Sequence, residues 1–333
     1  MPVTIRDVAR QARVSVSTVS RAISAPDLVR ADTRERVLEV VRGLGYQPNP
    51  AARSLITGRT GNLGIVVPDL GNPFFPAVLL GVQARAREAG GSVFFCDSGQ
   101  DPVLEEELIR TMARQVDGVV VCASALDDET LAELATLTTV VLVNRALPGV
   151  PSVLMDSASG MAAVVEHLAA LGHRHCAYLN GPVRAWSNQF RRTGLREAAR
   201  RTDVSLHELG PFDPTFAGGA QGVDAALAAG VTAIIAYNDL MALGVLSRLS
   251  ELAVSVPGRI SVTGFDDILY AAMCGRPLTT VAMPAEAAGR AAVELLLDRL
   301  DHTDGAPGPA LRELPTSLVI RATTAPPAGP ARR

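Results

Sequence analysis

In the first sixty residues, apolar side chains recur at helical spacing in three separate segments. Thr4 suits the N-cap of the first helix, and Asp7 suits the reciprocal position of a capping box. A second helix is predicted over Val16–Ile23 after the N-cap Ser15, and a third begins near Thr33. The inward-facing positions are Ile5, Val8, Ala9, Ala12, Val19, Ala22, Val37, Val40, Val41 and Leu44. Two short helices joined by a tight turn and braced by a third form a helix-turn-helix layout.

The outer face of the second helix is typical of an element that reads DNA. In a helix-turn-helix, the N-terminal residues of this helix reach base edges in the major groove. Arg21 suits a bidentate contact to guanine, Val16 suits a thymine methyl group, and Ser17 suits a base edge or a phosphate. The alternative is that these are ordinary solvent-facing side chains, and a three-helix pattern alone does not decide between the two.

A short conditional helix is predicted after the three-helix head. Asn49 as N-cap and Pro50 at the first helical position define its start, and Gly58 limits it to about Asn49–Thr57. Two turns are too short to be stable alone in water. We therefore expect this segment to become ordered only against something else.

From Gly64 onward, short β-branched runs alternate with amphipathic helices such as Ala77–Ala89 and Gly160–Leu171. This alternation predicts parallel sheets with helical crossovers, in two successive α/β lobes that divide near Asp156. The predicted strands are Gly64–Val67, Val93–Cys96, Val119–Cys122, Val140–Val143, Cys176–Leu179, Ala233–Tyr237 and Ile260–Gly264. The late segments Thr279–Ala282 and Leu311–Arg321 are expected to cross between the lobes again.

Polar side chains follow many of these strands where each strand ends. The carboxyl edge of a parallel sheet is where open α/β folds bind ligands. The residues concerned are Asp69, Asp97, Asn144, Asn238, Asp239, Asp266 and Asp267. The alternative for each is a turn or helix cap, a role that Asp and Asn also favour. Their recurrence favours a ligand cleft between two facing lobes.

Composition and charge narrow the class of protein. Apolar residues make up 48% of the chain and charged residues 20%, as in globular proteins. The net charge of −3 divides into +5 for residues 1–60 and −8 for the remainder, which favours a polyanionic partner for the head alone. No membrane-spanning or secretory segment is evident, so we expect a cytoplasmic protein without a membrane partner. The four cysteines lie far apart and are expected to be buried, reduced thiols.

The sequence offers no constellation for catalysis. It lacks the G-x-S-x-G, H-E-x-x-H, P-loop and G-x-G-x-x-G motifs. His173 and His175 resemble a metal pair but have no Cys or carboxylate companion nearby, so a structural role is expected. Asp266 and Asp267 do not form a dyad, because adjacent side chains usually diverge. We therefore expect no enzyme activity, no cofactor and no metal. The main rival, a pure solute-binding protein, predicts a secretory signal and no basic head.

The motifs of the head resemble those of the lactose/galactose repressor (LacI/GalR) family. They are T-I-R-D-V-A, V-S-V-S-T-V-S-R, R-E-R-V, L-G-Y-Q-P-N and A-R-S-L. The resemblance implies that the conditional helix is a hinge that pairs with its dimer mate in the minor groove, where Leu55 wedges into the central base step. Arg13 departs from the Gly usual in the family, at about 1 kcal/mol if its φ is positive. The implied DNA contacts are Thr4, Val16, Ser17, Thr18, Arg21, Asn49, Arg53 and Leu55.

Further motifs are similar to the effector-binding core of that family, which is itself similar to periplasmic sugar-binding proteins. They are G-I-V-V-P-D, N-P-F-F, V-D-G-V-V-V, L-G-H-R-H, A-Y-L-N-G-P, N-D-L-M-A-L-G and T-G-F-D-D. The effector contacts carried over by position, with two residues beside them, are Asp69, Phe74, Asn144, Trp186, Gln189, Arg191, Asn238 and Asp266. Gln189 and Met283 depart from the residues common in the family, which leaves the class of ligand open. Trp186 suits either ring stacking or a buried structural role.

Together these features predict a small all-α helix-turn-helix head and an α/β two-lobed core with parallel sheets, like a periplasmic binding protein. The expected parts are a DNA-binding domain at 1–47, a hinge at 48–60, a core at 61–325 and a disordered tail at 326–333. Within the core, one lobe comprises about 61–155 and 284–313, and the other 156–283 and 314–325. The expected function is a repressor that binds double-stranded operator DNA as a homodimer under control of a sugar-like effector. The tail has no leucine heptads, so no tetramerising coiled coil is expected.

Overall fold

The computed structural model describes residues 3–24, 26–46, 59–301 and 311–328. The chain divides into two compact units, Met1–Thr60 and Gly61–Arg333. The first is helical, whereas the second contains parallel sheets. This confirms the predicted fold class.

The first unit contains three helices around a small apolar core. They are α1 (Ile5–Ala12), α2 (Val16–Ser24) and α3 (Ala31–Leu44), with a 3-10 turn at Pro26–Leu28 between the last two. Val8, Val19 and Val37 are fully buried where the three helices meet. The third helix begins two residues before the predicted start at Thr33, since Asp32 and Thr33 lie inside its first turn.

Local capping explains where the first two helices begin and end. The carboxylate of Asp7 accepts hydrogen bonds from the backbone N–H of Thr4 at 3.0 Å and from its hydroxyl at 2.7 Å. Ser15 caps α2 by accepting from the N–H of Thr18 at 3.1 Å. Arg13 ends α1 in the left-handed conformation, at φ 55° and ψ 46°. Arg13, in the turn between these two helices, therefore has a positive φ, which is the condition under which a non-glycine residue is strained.

The second unit begins with a six-stranded parallel sheet, the first sheet, in the order β11-β5-β4-β3-β1-β2. Its strands are β1 (Asn62–Val67), β2 (Ser92–Asp97), β3 (Gly118–Cys122), β4 (Thr139–Val143), β5 (Ser152–Met155) and β11 (Leu311–Leu314). The connecting helices are α4 (Phe74–Glu88), α5 (Pro102–Met112) and α6 (Asp128–Leu137). β2 lies at one edge of this sheet and is parallel to β1.

A four-stranded parallel sheet, the second sheet, has the order β7-β6-β8-β9. Its strands are β6 (His175–Leu179), β7 (Ser205–Leu209), β8 (Ala233–Ala236) and β9 (Ser261–Thr263). The helices that follow β5 are α7 (Ser157–Ala170), α8 (Trp186–Thr202), α9 (Phe216–Gln221), α10 (Val223–Ala228), α11 (Asp239–Glu251), α12 (Leu269–Met273) and α13 (Ala285–Asp301). An antiparallel pair, β10 (Thr280–Ala282) and β12 (Ser317–Val319), completes the unit.

All seven predicted strands are present, with ends that shift by one or two residues. Two strands were not predicted: β5 is only four residues long, and the edge strand β7 has the sequence S-L-H-E-L without an apolar run. The late segment predicted over Leu311–Arg321 divides into β11, which pairs with β5, and β12, which pairs with β10. A strand that pairs on one side needs little burial, so composition identifies it poorly.

The largest apolar core connects the two sheets of the second unit. It includes Ile65 of β1, Tyr178 of β6 and Phe265 after β9, all fully buried. All four cysteines are free, and Cys122 and Cys176 are buried. Among the described residues, no helix is long and apolar enough to cross a membrane.

Candidate DNA-reading helix and effector cleft

The outer face of α2 carries the residues predicted to read DNA. Val16, Ser17 and Arg21 are exposed, and Thr18 is half-buried. The hydroxyl of Ser15 lies 2.7 Å from that of Ser17 and 2.8 Å from that of Thr18, so both hydroxyls are held at the start of the helix. An exposed apolar side chain next to two ordered hydroxyls is a surface that fits a base edge and a thymine methyl group.

Arg21 extends from the exposed side of α2 one turn further on. Within the described part of the chain it makes no ion pair, so its guanidinium is available to a partner. Thr4 is exposed, and its hydroxyl donates to Asp7. The predicted contacts Asn49, Arg53 and Leu55 lie outside the described residues.

Four of the eight predicted effector contacts follow the carboxyl ends of strands, and two of these four have unusual backbone conformations. Asn144 follows β4 at φ 57° and is almost fully buried. Asp266 and Asp267 follow β9 at φ 112° and 56°. Non-glycine residues at such angles are strained, and strain of this kind is concentrated at functional sites.

Arg191 and Asp266 form the central polar pair. Nη2 of Arg191 donates to Oδ1 of Asp266 at 3.0 Å, and their side chains are only 4% and 6% exposed. The guanidinium lies 4.4 Å from the ring centre of Tyr237 and 4.0 Å from that of Phe265. A second nitrogen, Nη1, donates to the backbone oxygen of Tyr237. The described residues leave Nε of Arg191 buried without a partner.

Two buried carboxyl groups, Asp266 of this pair and Asp239, have raised pKa values. Burial raises the pKa of Asp266 to about 6, although the positive charge of Arg191 acts in the opposite direction. Burial also raises the pKa of Asp239 well above its usual value, and the charge of Asp266 adds to this effect. The Asp239 carboxylate accepts from the N–H of Ile268 at 2.8 Å and from the Thr280 hydroxyl at 2.5 Å. Desolvation dominates both shifts, as expected for buried carboxylates.

Two predicted contacts have local roles in the structure. Asn238 caps α11: its oxygen accepts from the N–H of Met241 at 2.9 Å, and its Nδ2 donates to the oxygen of Pro214 at 3.0 Å. Oδ1 of the half-buried Asp69 accepts from the N–H of Gly71 at 2.7 Å. The cap considered as an alternative for Asn238 is thus present, and its amide keeps one N–H and one lone pair beyond these two bonds.

Further aromatic side chains lie at the starts of α8 and α4. Trp186 and Phe190 begin α8 with ring centres 4.0 Å apart, and Gln189 beside them is exposed. Phe74 is buried at the start of α4 and meets Phe75 edge to face at 5.2 Å. Trp186 is half-buried, which leaves part of its ring available to a ligand.

A cavity of about 390 Å³ opens between α4 and the end of β9. Its walls combine Phe74 of α4, Asp266 after β9, and Met283 after β10. The cavity therefore brings together three residues that are far apart in the sequence. A mixed apolar and charged wall of this size is typical of small-molecule sites.

Two residues that pack on the guanidinium of Arg191 were not predicted from the sequence: Tyr237 and Phe265. Tyr237 precedes Asn238 and Phe265 precedes Asp266, so both lay beside residues already chosen for their polar groups.

The features set aside in the sequence have structural roles. His173 is buried, with Nδ1 2.8 Å from the Thr232 hydroxyl and Nε2 2.9 Å from the oxygen of Ala325. Asp267 pairs with Arg321 at 2.6 Å, away from the partner of Asp266, so the neighbouring carboxylates diverge. The described residues contain no cluster able to hold a metal ion.

These features define a DNA-binding transcriptional regulator with a small-molecule sensor. Residues 4–49 match the model for bacterial regulatory proteins of the lacI family, and residues 165–324 match a periplasmic binding protein-like domain. The chain is 35% identical over 303 residues to the HTH-type transcriptional regulator GalS of Salmonella typhimurium, covering 89% of each chain. The protein belongs to the LacI family, as its motifs predicted.

Solved structures agree with this assignment. The chain is similar to the lac repressor dimer bound to operator and the anti-inducer ONPF, with a TM-score of 0.83 and 29% identity over 98% of this chain and 100% of the other. It is also similar to the transcriptional regulator CelR in complex with cellobiose, with a TM-score of 0.71 and 29% identity over 96% and 99% of the two chains.

Proposed function

We propose that this protein is a repressor that binds operator DNA as a homodimer and responds to a sugar-like effector in the cleft around Arg191 and Asp266. The buried pair beside a cavity between α4 and β9 carries this proposal. A carboxylate and a guanidinium at fixed positions can each make two hydrogen bonds to neighbouring hydroxyl groups. The sugar complex of the similar CelR structure supports the same class of ligand.

The DNA contacts are assigned to α2 and to the segment after the head. Arg21 reads guanine, Val16 packs on a thymine methyl group, and Ser17 and Thr18 bond base edges or phosphates. Thr4 lies at the start of α1, where backbone N–H groups favour a phosphate. Asn49, Arg53 and Leu55 are assigned to a hinge helix that inserts Leu55 into the minor groove. The operator complex of the similar lac repressor supports this assignment.

The effector contacts divide between two lobes that close on the ligand. We assign residues 61–155 and 284–313 to one lobe and residues 156–283 and 314–325 to the other. Hydroxyl groups are bound by Arg191 and Asp266, and a ring face packs on Trp186. The remaining contacts are Asp69, Phe74, Asn144, Gln189 and Asn238. Asn238 can join them through the N–H and the lone pair that its two present hydrogen bonds leave free.

We assign the contact with a second copy of the chain to the apolar face formed by α4 and the edge strand β2. Leu80 on α4 is 59% exposed, and Phe94 and Phe95 on β2 are 48% and 55% exposed. Apolar side chains of this size at an unpaired strand edge favour a protein partner. The dimer of the similar lac repressor supports a second copy as that partner.

Two measurements test the proposal. Selection from a random DNA pool at low salt should recover a near-palindromic site, and failure to recover any site would reject the assignment to operator binding. A thermal-shift screen of cellobiose, galactose, ribose and nucleosides should identify a stabilising compound. Asp266→Ala should lose that shift and keep its DNA affinity. If Asp266→Ala retains the shift, the effector lies elsewhere.

A further inference from the structure

Asp239 is fully buried at the start of α11, and its carboxylate is held by contacts from two other segments. Oδ2 accepts from the N–H of Ile268 at 2.8 Å, and Oδ1 accepts from the hydroxyl of Thr280 at 2.5 Å. Oδ1 also lies against the backbone of Gly264, where an added Cβ would be 2.1 Å from it. The side chain therefore connects the start of α11 with the turn after β9 and with β10.

The turn from Phe265 to Ile268 is attached to Asp239 at both ends. At one end the carboxylate accepts from the N–H of Ile268, and at the other the backbone N–H of Asp239 donates to the oxygen of Phe265 at 2.8 Å. Between these two bonds lie Asp266 and Asp267, at φ 112° and 56°. Non-glycine residues at such angles persist only where the surrounding structure holds them. Asp239 supplies two of the bonds that hold this turn.

Two further bonds act on the middle of the turn. The N–H of Asp266 donates to the oxygen of Val281 at 2.9 Å, and Oδ1 of Asp267 pairs with Arg321 at 2.6 Å. With its backbone fixed in this way, Asp266 directs Oδ1 to Nη2 of Arg191 at 3.0 Å, and its side chain lines the cavity beside α4. The position of the Asp266 carboxylate thus depends on the conformation of the turn.

Asp239 itself is out of reach of a ligand. It is 0% exposed, and the lining of the cavity includes Asp266, Asp267 and Ile268 but not Asp239. Burial keeps the pKa of Asp239 well above its usual value, so an uncharged amide is its closest replacement. Any effect of this residue on a ligand in the cavity is therefore transmitted through the turn.

We infer that Asp239 is a positioning residue for effector binding: by holding both ends of this turn, it sets where the carboxylate of Asp266 lies in the cleft. This inference rests on the proposed function, because it takes Asp266 as an effector contact. Groups that contact a ligand have to be held within about 0.5 Å of their productive geometry, and the side chains behind them provide that precision. Removal of the Asp239 carboxylate frees the Ile268 end of the turn, and the strained backbone at Asp266 relaxes.

Three substitutions separate positioning from simple stabilisation of α11. Asp239→Asn keeps an oxygen for the N–H of Ile268 and places an NH₂ group beside the hydroxyl oxygen of Thr280. Asp239→Ala leaves the Ile268 N–H without this acceptor. Val245→Ala, at a fully buried position further along the same helix, destabilises the core and leaves these hydrogen bonds in place.

Effector affinity gives the first test, with cellobiose, galactose, ribose and adenosine as the compounds titrated. For the compound that wild type binds, Asp239→Ala should raise the Kd by about tenfold or more, a loss of the size seen when groups behind metal ligands are removed. Asp239→Asn should recover most of the affinity, and Val245→Ala should keep it despite its lower stability. An unchanged Kd for Asp239→Ala, no recovery with Asp239→Asn, or an equal loss in Val245→Ala overturns the inference.

Crystal structures of the same variants without a ligand test the geometry. Asp239→Asn and Val245→Ala should keep Nη2 of Arg191 within hydrogen-bond distance of Asp266, whereas Asp239→Ala should lose this contact and the positive φ of Asp266. An unchanged contact and φ in Asp239→Ala overturn the inference. If Asp239→Ala does not fold, Gly264→Ala replaces it with the same expected result, because the added methyl group displaces the carboxylate.

The two tests distinguish failure of this inference from failure of the proposed function. If none of the four compounds binds to wild type, the proposed sugar-like effector is rejected, and the crystal structures alone decide whether Asp239 positions Asp266. If a compound binds to wild type and equally well to Asp239→Ala, the proposed effector stands and the inference fails.

Discussion

Gly81 of α4 and Glu286 of α13 are in backbone contact, with no space for a side chain between them. A Cβ built on Gly81 lies 2.0 Å from the carbonyl oxygen of Glu286. The same pair of helices meets again at Gly289, where a Cβ would lie 2.1 Å from the oxygen of Val78. These two glycines set the distance between the helix proposed for dimer contact and the helix that follows β10.

Gly81→Ala should therefore destabilise the second unit. The added methyl group forces the two backbones apart, and overpacking of this kind costs about 1–3 kcal/mol. Urea unfolding gives the change in the free energy of unfolding. Gly275→Ala is the control, since a Cβ there meets nothing within 4 Å and the residue has no positive φ. Equal stability of the two variants would contradict the close packing.

Arg21→Ala should remove discrimination at one position of each operator half-site. Loss of a bidentate contact to guanine costs about 1–3 kcal/mol of preference for that base. Selection from a random pool with the variant and the wild type measures the change. Arg200→Ala, an exposed arginine of the second unit, is the control for loss of positive charge alone. An unchanged base preference for Arg21→Ala would refute its role in reading.

Leu55→Ala should weaken specific binding and reduce DNA bending, because an apolar wedge unstacks the central base step and kinks the duplex. The energy of unstacking is a few kcal/mol, so the loss of the wedge alters both the bend and the affinity. A circular-permutation gel shift measures the bend angle. The same bend with the variant as with wild type would show that Leu55 does not enter the duplex.

The stability of the second unit should depend on the ionisation of Asp266. Burial raises the pKa of Asp266 from 3.8 to about 6, so the folded state favours its protonated form. Its contribution to stability is full below about pH 4 and is lost as the pH rises through 6. The free energy of unfolding of wild type, relative to Asp266→Asn, should therefore fall between pH 4 and pH 7.

Urea unfolding of both proteins across that range measures this difference. Asp239 is retained in both proteins and carries the other raised pKa of the cleft. Because the charge of Asp266 contributes to the raised pKa of Asp239, the difference between the two proteins reports on the ionisation of Asp266 together with its coupling to Asp239. A difference that stays constant with pH would show that the carboxylate does not titrate there.

Prediction from sequence succeeded where the signal is local. The caps at Asp7 and Ser15 are formed by groups within three residues of their partners, and both are present as expected. The strand β8 before Asn238 is equally evident, because Ala233–Ala236 is an apolar run. The edge strand β7 was missed, since its pairing with β6 depends on residues thirty positions away.

In the effector cleft as well, features encoded locally were predicted and contacts between distant segments were not. Asp69, Asn144, Asn238 and Asp266 were predicted because polar side chains after parallel strands are visible in the sequence, whereas Arg191 was implied by the family resemblance. Their partners in the fold were not predicted. Asn238, a predicted effector contact, also caps α11 in the structure.

The sequence by itself determined the helices of the head, their caps, the alternation of strands and helices, and the family, because helical period, capping and motif spacing are encoded over a few residues. Only the tertiary structure decided that Arg191 pairs with Asp266, and that its guanidinium lies between the rings of Tyr237 and Phe265. The physical reason is that a buried charge needs a partner supplied by whichever chain segments packing brings beside it.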